Sequence, residues 1–197
     1  MPSWQSPLIV TRTAAPATDP ITLAEGKAHL RVDIPDENDL ITALITAATE
    51  SAESFTRRQF VTATFKTFRD FFPACPILLP RPPLQSVTAI RYLDETNTQQ
   101  TVATSVYVVD TDSEPGRIYL DDGQVWPTTL AQIKAVEIEY VAGYGAAAAV
   151  PQAIRAAIKL KLGHLHEHRE EVVVGEGATE LPNAAKTLLW TYRNLEI

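Results

Sequence analysis

Residues 21–60 read ITLAEGKAHLRVDIPDENDLITALITAATESAESFTRRQF, and this stretch predicts two helices separated by a short break. Thr22 followed by Glu25 has the spacing of a capping box, which is typical of a helix N-terminus. The first helix is expected to end near Asp33, because the residue before Pro35 avoids the helical backbone conformation. A short helix and a longer one are therefore expected to follow each other here.

The longer helix carries apolar residues at three- and four-residue spacing, so one of its faces is expected to be buried. Asp36 or Asn38 is expected to cap its N-terminus, where acidic side chains also suit the helix dipole. A later segment that begins at Pro151 repeats the same apolar spacing. Together the two segments predict one helical core. Its predicted members are Leu40, Leu44, Ile45, Phe55, Ile154, Ile158, Leu162 and Leu165.

Residues 61–142 change from the helical period to alternation of apolar and polar residues. Runs rich in aromatic and β-branched residues, such as TATFKTFRDFF at 62–72 and KAVEIEYVAG at 134–143, are separated by turn-forming residues. No helical pattern follows a strand, so a parallel sheet is not expected. The pattern predicts a small antiparallel β unit of five or six strands.

The predicted fold class is α+β, with a helical core of about four helices interrupted by the small antiparallel β unit. Gly175 and Gly177 predict a hinge, and a mobile final helix is expected from Pro182 to Ile197. The expected divisions are an extended N-terminal arm at 1–19, the first part of the helical core at 20–60, the β insertion at 61–142 and the second part of the core at 150–197.

The composition argues against several classes of protein. The net charge of −7 does not suit a protein that grips nucleic acid by neutralising phosphates. The single cysteine, Cys75, allows neither an intrachain disulfide nor a cysteine-based zinc site. No apolar run approaches the roughly 20 residues that cross a bilayer, and the N-terminus lacks the pattern of a signal peptide. We therefore expect no membrane association.

His164 and His168 form the most suggestive chemical cluster. They lie one helical turn apart, which is the spacing of a zinc-binding pair. The local order HLHEH lacks the HExxH pattern of metalloproteases, and a helix C-terminus enriched in histidine also suits the helix dipole. We expect no enzyme, no catalytic residue, no metal and no cofactor. A metal-dependent hydrolase that uses this pair is the alternative from another class.

Three stretches occur in a specific order. LAEGKAHLR at 23–31 precedes an acidic stretch and a long helix, ILLPRPPLQSVTAIRYLD lies at 77–94, and YVAGYGAAAAVPQAIRAAI lies at 140–158, followed by HLHEHRE. Each resembles one motif of the bacteriophage head–tail connector (adaptor) proteins, in the long form with a β insertion between helical segments. The resemblance covers about residues 20–171.

The resemblance implies a structural subunit of the virion at the head–tail interface, present in the host cytoplasm during assembly. Such subunits form a ring, typically of twelve copies, under the portal. The ring extends the DNA channel and provides the attachment platform for the tail. The implied partners are the portal protein, neighbouring copies, a stopper or other tail-proximal protein, and double-stranded DNA that passes non-specifically. Another virion ring component, a stopper or a tail-completion protein, is the alternative within this class.

The C-terminal segment of such proteins commonly reaches the portal. Here the predicted final helix carries residue types that are enriched at interface hot spots. The candidates for portal contact are Trp190, Tyr192, Arg193 and Leu195. The alternative is that this helix simply packs on the core.

Overall fold

The computed structural model describes residues 9–74, 76–168 and 183–195, so Cys75 and the predicted hinge at Gly175 and Gly177 lie outside the described residues. The chain forms two compact units. The helical unit comprises residues 17–61 and 144–195, and the β unit comprises residues 62–143 together with the N-terminal stretch up to residue 16. Four α-helices and antiparallel sheets among the described residues confirm the predicted α+β class.

The helical unit begins with the predicted capping box. The Oγ1 atom of Thr22 accepts from the backbone N–H of Glu25 at 3.2 Å, and the Glu25 carboxylate accepts from the backbone N–H of Thr22 at 3.0 Å. The helices of this unit are α1 (Leu23–Leu30), α2 (Asn38–Thr56), α3 (Gln152–Glu167) and α4 (Asn183–Trp190).

The predicted N-cap of α2 is wrong. Pro35–Glu37 form a 3₁₀ turn that leads directly into α2, and Glu37 at the N-cap position makes no side-chain hydrogen bond to the helix. The fixed backbone angle of Pro35 favours a helical turn at this point, so the chain is already turning before an Asp or Asn side chain can cap it. α2 therefore continues directly from the 3₁₀ turn at Pro35–Glu37, without a polar side-chain cap.

The core of the helical unit lies between one stripe of α2 and one stripe of α3. Ile45, Ile154, Ile158 and Leu162 are buried, whereas Leu44, Phe55 and Leu165 are partly buried at the edge of the core. Leu40 is 37% exposed, so its predicted place in the core is wrong. It lies in the first turn of α2, one position before the buried stripe that Ile41 begins. The other buried apolar residues of this core are Ile21, Ile41, Ala48, Ala52, Phe60, Val61, Val150, Ala157, Ala185 and Leu189.

α1 packs closely on α2 and α3 because Gly26 has no side chain. A Cβ atom at Gly26 would lie 2.9 Å from Cδ1 of Ile45 and 3.2 Å from Cδ2 of Leu162. Beside this contact, the Glu25 carboxylate accepts from Nη2 of Arg155 at 2.6 Å, and Arg155 Nε donates to the carbonyl of Pro20 at 3.1 Å. The start of α1 is thus fixed to α3 by charge-assisted hydrogen bonds.

The described part of the β unit contains eight strands, and the seven that lie within residues 61–142 exceed the five or six predicted there. A five-stranded antiparallel sheet has the order β1-β2-β8-β4-β5, and a three-stranded one has the order β3-β7-β6. The strands are β1 (Ile9–Ala14), β2 (Ala63–Arg69), β3 (Ile77–Leu78), β4 (Leu84–Leu93), β5 (Gln99–Thr101), β6 (Tyr107–Asp110), β7 (Arg117–Leu120) and β8 (Val136–Ala142). β1 lies within the stretch that the sequence analysis assigned to an extended arm.

The central strand β8 shows why this sequence forms a half-buried sheet. Its residues alternate between buried and half-buried positions, with Ile138 and Tyr140 inside and Glu137 and Glu139 on the other face. The Tyr140 hydroxyl donates to the carbonyl of Pro80 at 3.0 Å, and burial raises the pKa of this phenol. The alternation gives one apolar face, which packs in the core of the β unit, and one charged face.

We predict that Ile158→Ala lowers the free energy of unfolding of the helical unit by about 2–5 kcal/mol, because the truncation leaves a cavity in a closed core. Leu40→Ala is the matched comparison and should cost less than about 1 kcal/mol, since Leu40 is exposed. Chemical denaturation followed by circular dichroism measures both. Equal effects of the two variants would show that the buried stripe of α2 and α3 is assigned incorrectly.

A second prediction concerns acid stability. The hydrogen bond from the Thr22 backbone, aided by the charges of Lys159 and Arg155, lowers the pKa of Glu25 from 4.5 to about 2. Because the folded pKa is depressed, the ionised carboxylate stabilises the fold above about pH 5, and this contribution is lost as the pH falls towards 2.

Glu25→Ala should therefore lower the free energy of unfolding by about 1–2 kcal/mol at pH 7, a figure reduced for solvent screening at this partly exposed site. The difference from the wild type should shrink steadily between about pH 5 and pH 2. Glu25→Gln is the control, because it keeps a capping acceptor and removes the charge. A difference that is constant over this pH range would contradict the role of the ionised carboxylate.

Candidate functional site

The described C-terminal segment packs on the helical core through one side of α4. Ala185 and Leu189 are buried, and Leu188 and Tyr192 pack against the same core. The predicted helix from Pro182 to Ile197 is too long, because α4 ends at Trp190. Backbone hydrogen bonds from Tyr192 to Leu189 and from Arg193 to Trp190 tighten the last turn. Tyr192, Arg193 and Leu195 therefore lie beyond the helix.

The residues after α4 cap the C-terminal end of α2. The backbone N–H of Asn194 donates to the carbonyl of Thr56 at 2.9 Å, and Nε of Arg58 donates to the carbonyl of Tyr192. The last carbonyls of a helix lack intrahelical donors, so the Asn194 contact satisfies one of them. The end of α2 and the end of the described chain are thus held together.

This arrangement places an aromatic and cationic cluster at the surface, which we call the aromatic surface: Phe55, Trp190 and Arg193. The two ring centroids lie 6.2 Å apart, and Cζ of Arg193 lies 5.1 Å from each of them. Trp190 is nevertheless 53% exposed, and Leu195, two residues after Arg193, is 71% exposed. Large exposed apolar side chains of this kind are typical of an interaction surface.

Arg193 is held by its aromatic neighbours rather than by an acidic group. A guanidinium close to two aromatic rings gains a cation–π interaction. Among the residues that the structure describes, no carboxylate pairs with Arg193, and its buried Nε atom has no hydrogen-bond acceptor. Because Nε is buried, only the Nη atoms of this guanidinium can donate to a carboxylate of another molecule.

The four predicted portal-contact residues thus divide into two kinds. Trp190 and Leu195 are exposed, whereas Tyr192 and Arg193 are half-buried. The alternative, that this segment packs on the core, holds for α4 itself, because Ala185 and Leu189 are buried in the core of the helical unit. Sequence reasoning placed Phe55 in the core and missed its edge position. The sequence indicates this edge position, because Phe55 is closely followed by Arg57 and Arg58 at the C-terminal end of the helix.

A second surface, in the β unit, was not predicted. Val125 and Ile133 are both 78% exposed, and Phe71 is 39% exposed. A groove of about 510 Å³ is lined by Phe71, Ile133 and their neighbours Asp70 and Gln132. Nearby, Phe72 stacks on Trp126 with centroids 4.6 Å apart. We call Phe71 and Ile133, which both line this groove, the β-unit apolar surface.

The histidine pair that suggested a metal site is present at the end of α3. The rings of His164 and His168 lie 4.5 Å apart, and Nδ1 of His168 is 3.2 Å from the carbonyl of His164. His166 instead contacts the carboxylate of Glu37 at 3.1 Å. Within residues 9–74, 76–168 and 183–195, no three His, Cys, Asp or Glu side chains are grouped so that they could hold a metal ion.

None of the helices in the described parts of the chain is long and apolar enough to span a membrane.

Solved structures with a similar fold come from gene transfer agent (GTA) particles. A chain from the neck of an empty GTA particle, computed with C6 symmetry, superposes with a TM-score of 0.80 at 22% identity, covering 96% of this chain and 97% of that chain. Chains from the virion of a native GTA particle and from a native GTA neck computed with C12 symmetry both give 0.77 at 21% identity, with the same coverage. At these identities the likeness shows the fold alone.

Sequence comparison assigns the family. No curated protein matches the chain. The family model of the head completion protein matches residues 20–195, which covers both the helical and the β unit. This match confirms the resemblance to phage head–tail connector proteins that the three motifs carry. The chain belongs to the head completion protein family.

Proposed function

We propose that this protein is a structural subunit of a ring at the head–tail interface of a tailed phage or phage-like particle. The observation that carries the proposal is the match to the head completion family over 20–195. The similarity in fold to neck chains over 96% of the sequence supports it. The proposed location is the virion neck, with the free subunit in the host cytoplasm during assembly.

A ring requires two different lateral faces on each subunit, because the contact between neighbours is head-to-tail and closes after a fixed number of copies. Similar chains come from a neck computed with C12 symmetry and from a neck computed with C6 symmetry, and a ring of twelve copies is compatible with both. We therefore propose twelve copies here. The ring would extend the DNA channel, and the net charge of −7 favours DNA that slides past without specific binding.

Within this class we propose the role of adaptor, the component that binds the portal directly. The aromatic surface supports this role, because Trp190 offers a large apolar side chain and Arg193 offers a guanidinium without an acidic partner in the described chain. A tryptophan and an arginine side by side are typical of an interface hot spot. The β-unit apolar surface would then serve a different partner, the next tail component.

A stopper or tail-completion protein remains the second candidate, since it would occupy the same neck and the same family. The distinction lies in the partner. An adaptor binds the portal without help, whereas a stopper binds only after an adaptor is in place. The exposed Val125 and Ile133 of the β unit are available for such a contact in either role.

The test of the adaptor role is binding to DNA-filled heads that carry the cognate portal and no other neck protein. We expect the wild-type chain to decorate these heads, as measured by co-sedimentation and negative-stain electron microscopy. A wild-type chain that binds only after another neck protein is added would contradict the adaptor role and favour the stopper.

We further predict that Trp190→Ala weakens portal binding by about thirty-fold or more while the protein stays folded, because the side chain is half exposed. Ile133→Ser is the control, since it removes an apolar side chain from the β unit that is even more exposed than Trp190, 78% against 53%. Normal binding by Trp190→Ala together with lost binding by Ile133→Ser would move the portal contact to the β-unit apolar surface.

A further inference from the structure

The outward face of α2 is lined by small side chains. Ala43, Ala47 and Ser51 follow each other at four-residue spacing, so they form one line along the helix, and Ser54 lies beside its end. All four are exposed. We call these four residues the small-residue face. Small side chains allow another backbone to approach closely and lose little rotamer entropy when they are covered.

A buried lysine is directed towards this face. Lys161 on α3 is only 5% exposed, and its Nζ atom donates to the hydroxyl of Ser51. An ammonium group has three donors. Among the described residues Ser51 accepts one of them, and no carboxylate pairs with Lys161. The charge is therefore held next to an exposed hydroxyl without an anionic partner.

This arrangement is costly for the isolated chain. Burial disfavours the charged amine and lowers the pKa of Lys161, and no nearby charge opposes the shift. Methionine, which has a similar length and no charge, would fill the same space without this cost. A carboxylate that arrived at Ser51 from outside would supply the missing partner in a partly desolvated position, where such pairs are strong.

We propose that the small-residue face is the seat of a second copy of this chain, and that a carboxylate of that copy pairs with Lys161 beside Ser51. The proposal rests on the proposed ring and identifies one of its two lateral faces. A head-to-tail contact brings a different surface of the neighbour to this face, so Lys161 does not lie opposite Lys161 of the neighbouring copy.

The charges favour a second copy over nucleic acid as the occupant. The chain carries 24 acidic and 17 basic residues, so carboxylates are abundant on the surface that a neighbour presents. Basic residues do not cluster here, as a phosphate-binding surface would require.

The face also continues into the proposed portal contact. Phe55 lies four residues after Ser51 on α2, and its ring contacts the exposed Trp190. One side of α2 would thus meet the neighbouring subunit, while its C-terminal end meets the portal. This continuity means that a subunit can bind the portal and its neighbour through adjacent parts of one rigid helix.

The experiment compares ring formation on portal-bearing, DNA-filled heads by electron microscopy and by counting bound subunits. Ala47→Tyr places a bulky group on the face, and Ala47→Ser is the control that keeps it small. We expect both variants to be folded in solution, because residue 47 is exposed. We expect complete rings with Ala47→Ser and single or scattered subunits with Ala47→Tyr. Complete rings with Ala47→Tyr would overturn the proposal.

Lys161→Met provides the second, independent measurement. The isolated variant should melt at a higher temperature than the wild type, because a buried charge is removed. Its subunits should nevertheless associate on the head at least about thirty-fold more weakly, because the neighbour's carboxylate loses its partner. Normal ring formation by this variant would overturn the proposal. If those rings also failed to retain DNA, the lysine would contact the nucleic acid and not a neighbouring subunit.

The outcomes also separate this inference from the proposed function. If the wild-type chain forms no ring on these heads, the proposed function fails and the inference fails with it. If the wild type forms rings and both Ala47→Tyr and Lys161→Met do so equally well, the ring stands and the interface lies elsewhere.

Discussion

The helical unit depends on the close contact of α1 with α2 and α3 at Gly26. The missing side chain lets the backbone of α1 approach Ile45 and Leu162, and the Glu25–Arg155 hydrogen bond fixes the start of α1 on α3. The inner face of α2 is fully used by this packing. What remains of α2 for other molecules is its outer face and its C-terminal end, and both proposed interfaces lie there.

The C-terminal segment both packs on the helical unit and presents exposed side chains at the surface. Asn194 caps the last turn of α2, and Leu189 fills the core, so the segment belongs to the folded unit. Its remaining side chains are then fixed at the surface without being covered. Trp190 is kept half exposed against Phe55, with Arg193 beside both rings. A rigid, pre-oriented aromatic group loses little entropy when it binds, which suits a hot-spot residue.

Much of the fold could be predicted from the sequence because its signals are local. The capping box at Thr22 and Glu25, the apolar stripes of α2 and α3, and the alternation in β2 and β8 each depend on residues close together in the chain. The features that were missed depend on distant partners. β1 gains its place only by pairing with β2, about fifty residues away, and β3 is too short to show alternation.

The candidate surfaces also depend on contacts between residues that are distant in the chain. Trp190 and Arg193 were found because their residue types are unusual. The contact of Asn194 with the end of α2 joins segments that are far apart in the chain, so no local pattern predicts it. Lys161 is charged, yet it is buried against α2 beside Ser51. Long lysine side chains can follow either environment, so periodicity alone does not decide their position.

A reconstruction of the neck of the assembled particle by electron cryomicroscopy, at a resolution that shows side chains, would test the ring and both of its contacts together. We expect a closed ring of this chain next to the portal, with the small-residue face of α2 buried against an adjacent copy and Trp190 buried against the portal. A neck that lacks this chain, or a ring in which both surfaces face solvent, would contradict this expectation.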